Sequence, residues 1–125
     1  VSGNGQQPVD VVGCQSGQTA INEPSDDSEL NGVVEVLGTA TCDNLWYYKF
    51  EIEDERCDKG LCFVAGPTQP IVAGRPFAKD VTNGLLMRWD TRKLPNGTYT
   101  LRLTAVGQGG FELPQVARVR VQIAN

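Results

Sequence analysis

The sequence predicts an all-β fold, a two-sheet antiparallel sandwich of about seven strands. Three observations carry that prediction. Residues 98–105 alternate without a break: Tyr99, Leu101, Leu103 and Ala105 fall on one side, and Thr98, Thr100, Arg102 and Thr104 on the other. Turn signals such as Asn31-Gly32, Asn83-Gly84 and Pro95-Asn96-Gly97 recur at short intervals. No segment sustains a helical period.

Taken in order, Ala20-Ile21-Asn22 reads as a short first strand ended by Pro24, and Ser25–Gly32 as a polar turn. Val33–Ala40 is a strand with Val34, Val36, Gly38 and Ala40 on the core face and Glu35 and Thr39 outside. Leu45–Glu53 follows, with Tyr48, Phe50 and Ile52 inward and Tyr47, Lys49, Glu51 and Glu53 outward; the same alternation assigns Trp46 to the core. Residues 54–84 are irregular and hold Pro67, Pro70 and Pro76. One or two edge strands are expected there, near Phe63-Val64 and Ile71-Val72, because proline is tolerated at sheet edges. Leu85–Trp89 is a strand with Trp89 in the core, and Asp90 caps the turn behind it. Thr98–Val106 leads into a glycine-rich loop, residues 107–114. The last strand is Gln115–Ile123, with Ala117, Val119, Val121 and Ile123 inward and Arg118, Arg120 and Gln122 outward.

A chain of 125 residues fits one domain. Residues 1–18 read as a polar linker with an apolar patch at Val9, Val11 and Val12, and residues 19–125 as the sandwich. No apolar run approaches the ~20 residues that cross a membrane. The chain shows no signal peptide and does not begin with Met, so it reads as a piece of a longer or processed precursor.

The net charge of −4 gives no electrostatic reason to seek nucleic acid or anionic lipid. The charge is unevenly placed. Residues 1–60 carry twelve acids and three bases, and residues 61–125 three acids and eight bases. Opposite charges paired across neighbouring strands explain that split, and a bipolar docking surface is the rival explanation.

The four cysteines are Cys14, Cys42, Cys57 and Cys62, and spacing alone leaves three pairings open. Strand geometry narrows them. If residues near 18–22 pair antiparallel with residues near 33–40, Cys14 and Cys42 lie symmetrically about the turn and face each other. Cys57 and Cys62 flank Asp58-Lys-Gly-Leu61, a short hairpin loop. The expected bridges are therefore Cys14–Cys42 and Cys57–Cys62. A zinc site is disfavoured, since the chain has no histidine and no C-x2-C pair. Disulfides point to an oxidising compartment outside the cytoplasm.

The same lack of histidine removes Ser-His-Asp and Cys-His catalysis, and Lys49, Lys59, Lys79 and Lys93 fall at exposed positions. The acidic runs Asp26-Asp27-Ser28-Glu29 and Glu53-Asp54-Glu55 lie in loops or at a strand end, where solvation accounts for them. A calcium ion at Asp26, Asp27 and Glu29 is the sharper alternative, without a recognised ligand spacing. No catalytic residues, cofactor or metal are assigned. Carbohydrate binding has a better candidate. Trp46, Tyr47 and Tyr48 are consecutive, so one ring must face outward, and Tyr47 shares its face with Lys49 and Glu51. The competing account is ordinary β propensity. Phe111, a large apolar residue in a glycine-rich loop, is expected to tuck against the end of the sandwich; otherwise it contacts a neighbouring domain. Asn96-Gly97-Thr98 matches a glycosylation acceptor, but its turn role accounts for it.

Several stretches together carry a family resemblance: Ile21-Asn-Glu-Pro24, residues 31–40, Trp46–Ile52, Asn83–Thr91 and residues 94–104. Over roughly residues 20–124 the chain resembles a bacterial immunoglobulin-like module, similar in plan to fibronectin type III domains. Such modules are attached to extracytoplasmic bacterial proteins, including tails of some penicillin-binding proteins and secreted hydrolases. The resemblance implies an immunoglobulin-like strand order, with the strand of Arg102 between that of Glu51 and Glu53 and that of Arg118 and Arg120. It also implies a tyrosine corner at Leu94, Gly97 and Tyr99, in which the Tyr99 hydroxyl bonds to backbone just upstream. The antibody-type core bridge is missing. The implied role is a non-catalytic spacer or interaction domain. Its partners would be neighbouring domains of the same polypeptide, or a cell-wall polysaccharide or protein met through Tyr47, Lys49, Glu51 or Phe111.

Overall fold

The computed structural model describes Cys14, residues 16–68 and residues 70–125. Residues 1–13 of the expected linker, with Val9, Val11 and Val12, lie outside the described residues. Among the described residues nine strands follow in order: β1 (Gly17–Glu23), β2 (Ser28–Leu30), β3 (Val33–Cys42), β4 (Leu45–Glu53), β5 (Leu61–Ala65), β6 (Val81–Asp90), β7 (Gly97–Gly107), β8 (Phe111–Glu112) and β9 (Ala117–Ile123). Short 3-10 turns occupy Asp58–Gly60 and Thr91–Lys93. β1-β3-β6 form one sheet and β2-β9-β7-β4-β5 the other, with β8 added on β7. The expected two-sheet sandwich is therefore present. β2 and β9 are the exception to antiparallel pairing, since they run parallel.

Alternation puts an apolar row from each sheet into the space between them. Phe50, Leu101, Leu103 and Val121 meet Val36 and Ala40 there, all without solvent exposure. Each large side chain so placed contributes about 1.5–3 kcal/mol relative to leaving it in water. Tyr48 ties the sheets together: its hydroxyl donates to the Leu86 carbonyl at 2.7 Å. Burial pushes its phenol up to about 12. Trp89 is buried as expected.

Several parts of the fold differ from the sequence prediction. The turn at Ser25–Gly32 contains β2, which pairs Ser28, Glu29 and Leu30 with Val121, Gln122 and Ile123 of β9. Residues 17 and 18, assigned to the linker, are the first of β1. Thr39, expected outside, is buried where the β3–β6 ladder is irregular between Gly38 and Ala40. Its hydroxyl accepts the Asn83 backbone N–H at 3.1 Å. A second irregularity, between Val36 and Leu37, leaves Leu86 as an extra residue opposite them, so Leu86 and Met87 are both buried despite being neighbours.

Both expected disulfides are formed, with Cα–Cα separations of 5.3 Å for Cys14–Cys42 and 5.4 Å for Cys57–Cys62. The register behind the first differs from the symmetric one. Gly17, not Cys14, is the ladder partner of Cys42. Cys14 reaches Cys42 from three residues further out, past a glycine whose added Cβ would crowd the Thr41 carbonyl at 2.5 Å.

Candidate functional site

β4 presents Tyr47, Lys49 and Glu51 on the outer face of the larger sheet. β5 pairs beside it and places Phe63 opposite Glu51. Gly66-Pro67 follows the last residue of β5, and Pro67 has no N–H with which to continue a ladder. The chain then turns back along the outer surface. Pro67, Pro70 and Ile71 wall a groove whose floor and far side are Tyr47, Lys49, Glu51 and Phe63; its volume is about 470 Å³. Phe63 is 60% exposed. Gly66 lies against its ring, close enough that a Cβ at Gly66 would come within 3.1 Å of it.

The polar part of the groove is internally paired. The Lys49 ammonium lies 2.9 Å from a Glu112 carboxylate oxygen and 3.6 Å from one of Glu51. Burial of its stem disfavours the charge. The Glu112 hydrogen bond and the two carboxylate charges outweigh that, and the Lys49 pKa is raised. The arrangement offers flat apolar surface beside a cation matched by two carboxylates. It has the composition of a binding surface and presents no nucleophile–base pair.

The structure thus brings Tyr47, Lys49 and Glu51 together and leaves Phe111 elsewhere. Phe111 is on β8, paired with Gly107, and is 57% exposed. The expectation that it tucks against the sandwich is corrected: Leu113 is buried instead, and its N–H bonds the Ala105 carbonyl at 2.8 Å. Trp46 is corrected as well. The β4–β7 ladder shifts between Leu45 and Tyr47, which takes Trp46 out of strict alternation. Trp46 is half-buried, with its ring edge-on to that of Tyr47 at 5.3 Å between centroids. Phe63 is the residue that the sequence reading missed as a site member. Its signal was there, because Cys62 and Val64 pack on the core and alternation sends Phe63 outward.

Other candidate groups serve the framework. Asp26 accepts the Arg120 backbone N–H at 3.0 Å, and Asp27 holds the Arg120 guanidinium at 2.7 Å. The hydrogen bond from Arg120 holds the Asp27 carboxyl below its ordinary value. Asp54 lies near the sulfurs of Cys57 and Cys62, but those are joined to each other. Tyr99 donates its hydroxyl to the Pro95 carbonyl at 2.6 Å, with Leu94 packed against the core and Gly97 opening β7. Asn96 exchanges hydrogen bonds with Asn125, accepting at 2.9 Å and donating at 3.3 Å. Acids of the first half meet bases of the second: Glu35 with Arg88 at 3.3 Å, and Glu53 with Arg118 at 2.7 Å and Arg102 at 3.8 Å.

No protein-family model matches the chain, and no curated protein does. Among solved structures, the chain is similar to part of the endo-beta-1,4-mannanase from Thermotoga petrophila. The TM-score is 0.50 at 16% identity, over 89% of this chain and 20% of that one. The likeness is one of fold, and the chain spans about a fifth of that structure's length.

Proposed function

We propose that this chain is a non-catalytic, extracytoplasmic accessory domain of a larger bacterial protein, a spacer or interaction module of immunoglobulin-like plan. The observation that carries this reading is how its ionisable groups are used. Asp27, Glu35, Glu53 and Lys49 are each paired with a charge on another strand or on a strand-flanking turn, which fixes strand order. The strand order supports the immunoglobulin-like plan: β1-β3-β6 stand as A, B and E would, and β4, β7 and β9 as C, F and G. Two disulfides fit an oxidising compartment. The likeness to a fifth of a mannanase's chain is consistent with a module carried by a larger enzyme. Incubation of the purified chain with mannan, xylan, cellulose, chitin and peptidoglycan should release no reducing ends. Turnover that disappears on replacing a single carboxylate would overturn the reading.

A second reading is favoured by one observation, the groove beside Tyr47: the domain binds carbohydrate or cell wall through that face. Titration calorimetry with the same glycans should then show heat that Tyr47→Ala removes. No heat with any of them would end this reading and leave the spacer.

A further inference from the structure

The geometry points to the groove as a site for the interior of a neutral, linear polysaccharide, with Phe63 as a stacking surface alongside Tyr47. This rests on the carbohydrate-binding reading of the Tyr47 face and extends it to a ligand class and to a residue outside β4.

Three observations carry it. First, Phe63 is pre-positioned. An exposed aromatic ring ordinarily gains by folding back onto apolar surface, yet Phe63 stays 60% exposed while resting on the bare backbone of Gly66. A ring held open in this way offers a flat face at small ordering cost to a ligand. Second, the groove does not close. Pro67, Pro70 and Ile71 also line a second depression of about 510 Å³, which continues over Val72, Arg75 and Pro76. Each is an open trough, within the ~300–1,000 Å³ of ordinary ligand sites. An open trough lets a polymer run through, whereas a blind pocket would select a chain end. Third, the one cation at its foot is matched by two carboxylates. Lys49 sits between Glu51 and Glu112, so the groove beside Tyr47 presents donors and acceptors for hydroxyl groups with no spare positive charge for a phosphate or a uronate; Arg75 lies in the neighbouring depression. Flat apolar faces beside paired polar groups match the two sides of a neutral pyranose, its C–H face and its hydroxyl rim.

The test is an NMR titration of the full chain with mannohexaose and cellohexaose, their borohydride-reduced forms and the corresponding disaccharides. The expected result is amide shifts at Lys49, Glu51, Phe63, Gly66 and Ile71. The hexasaccharide should bind about tenfold or more tightly than the disaccharide, and the reduced form equally well. Phe63→Ala should weaken binding about tenfold at an unchanged melting temperature, and Phe63→Trp should retain it. Binding that Tyr47→Ala removes but Phe63→Ala leaves intact would sink this inference while the Tyr47 reading stood. Binding that requires an unreduced end would replace the trough with a chain-end site. Absence of shifts with every glycan would remove both. Dimerisation lost in Phe63→Ala would assign the trough to a second copy of the chain.

Discussion

The inner and outer faces of β4 draw on alternate residues of one nine-residue strand, and they are held by different means. On the inner face, Tyr48, Phe50 and Ile52 are excluded from water by the opposite sheet. Any change of volume there is felt directly, because the packing around it is dense. On the outer face, Tyr47, Lys49 and Glu51 are half-buried under a proline-containing loop and a neighbouring hairpin, and Phe63 beside them is open. The inner face therefore stores stability, and the outer face leaves room for a partner. Substitution separates the two. Phe50→Ala should cost about 3–5 kcal/mol in urea unfolding, the usual price of an aromatic deleted from a core. Phe63→Ala should stay within about 0.5 kcal/mol of the parent. A large loss from Phe63→Ala would mean that the groove belongs to the core and that the contrast is false.

The disulfides sharpen the same contrast between the strand framework and the irregular region. Cys14–Cys42 closes a separation of 28 residues and ties the segment just before β1 to the end of β3. Cys57–Cys62 closes 5 residues around one hairpin. If each acts by restricting the unfolded chain, replacing the first pair with serine should cost about 3–4 kcal/mol and the second about 2 kcal/mol. Equal losses, or the reverse order, would show that the hairpin near the groove matters more to folding than its loop length implies. Tyr48→Phe comes next. It keeps the ring in the core but removes the donor to the Leu86 carbonyl, for an expected loss of about 1–2 kcal/mol.

These differences also explain what was legible in the sequence. β9 and residues 98–103 of β7 alternate cleanly, and their buried residues Leu101, Leu103, Val119 and Val121 follow from period two alone; Thr104, expected on the outer side, is buried. β2 was hidden because three residues in a polar turn show no period; only the β9 edge makes a strand of them. Thr39 and Leu86 were hidden because bulges are set by how two strands meet, which neither strand declares alone. Half of the groove could be read: Tyr47, Lys49 and Glu51 follow from alternation in β4. Its other half could not, because the wall of Pro67, Pro70 and Ile71 depends on the path of an irregular loop over the sheet. That path is held by contacts distant in sequence, such as the Tyr48 N–H bonded to the Phe77 carbonyl at 2.7 Å.

The smallest expected effect concerns acid, and it separates local pairs from long-range ones. Asp54 and Asp90 use one device at two strand ends. Each accepts the backbone N–H of the arginine two residues on, at 3.0 Å for Arg56 and 3.1 Å for Arg92, and also holds its guanidinium. Those hydrogen bonds bring both carboxyls to about 2. Asp27 is lowered too, but by Arg120, which is 93 residues away in the chain. A depressed carboxyl pKa contributes stability that is present above the unfolded value near 4 and lost as pH falls through the folded one. Unfolding midpoints should therefore hold steady from neutral pH to about pH 5 and fall between about pH 4 and pH 2. The local pairs contribute less to that fall than their shifts imply, because an unfolded Asp-x-Arg segment keeps part of the same contact. The Asp27–Arg120 pair exists only when β9 and the turn before β2 are assembled. Asp27→Asn should accordingly flatten the acid limb more than Asp54→Asn, measured as urea midpoint against pH. The opposite ranking would show that the hairpin pair forms only on folding, and that the region around the groove is as dependent on tertiary structure as the sheets are.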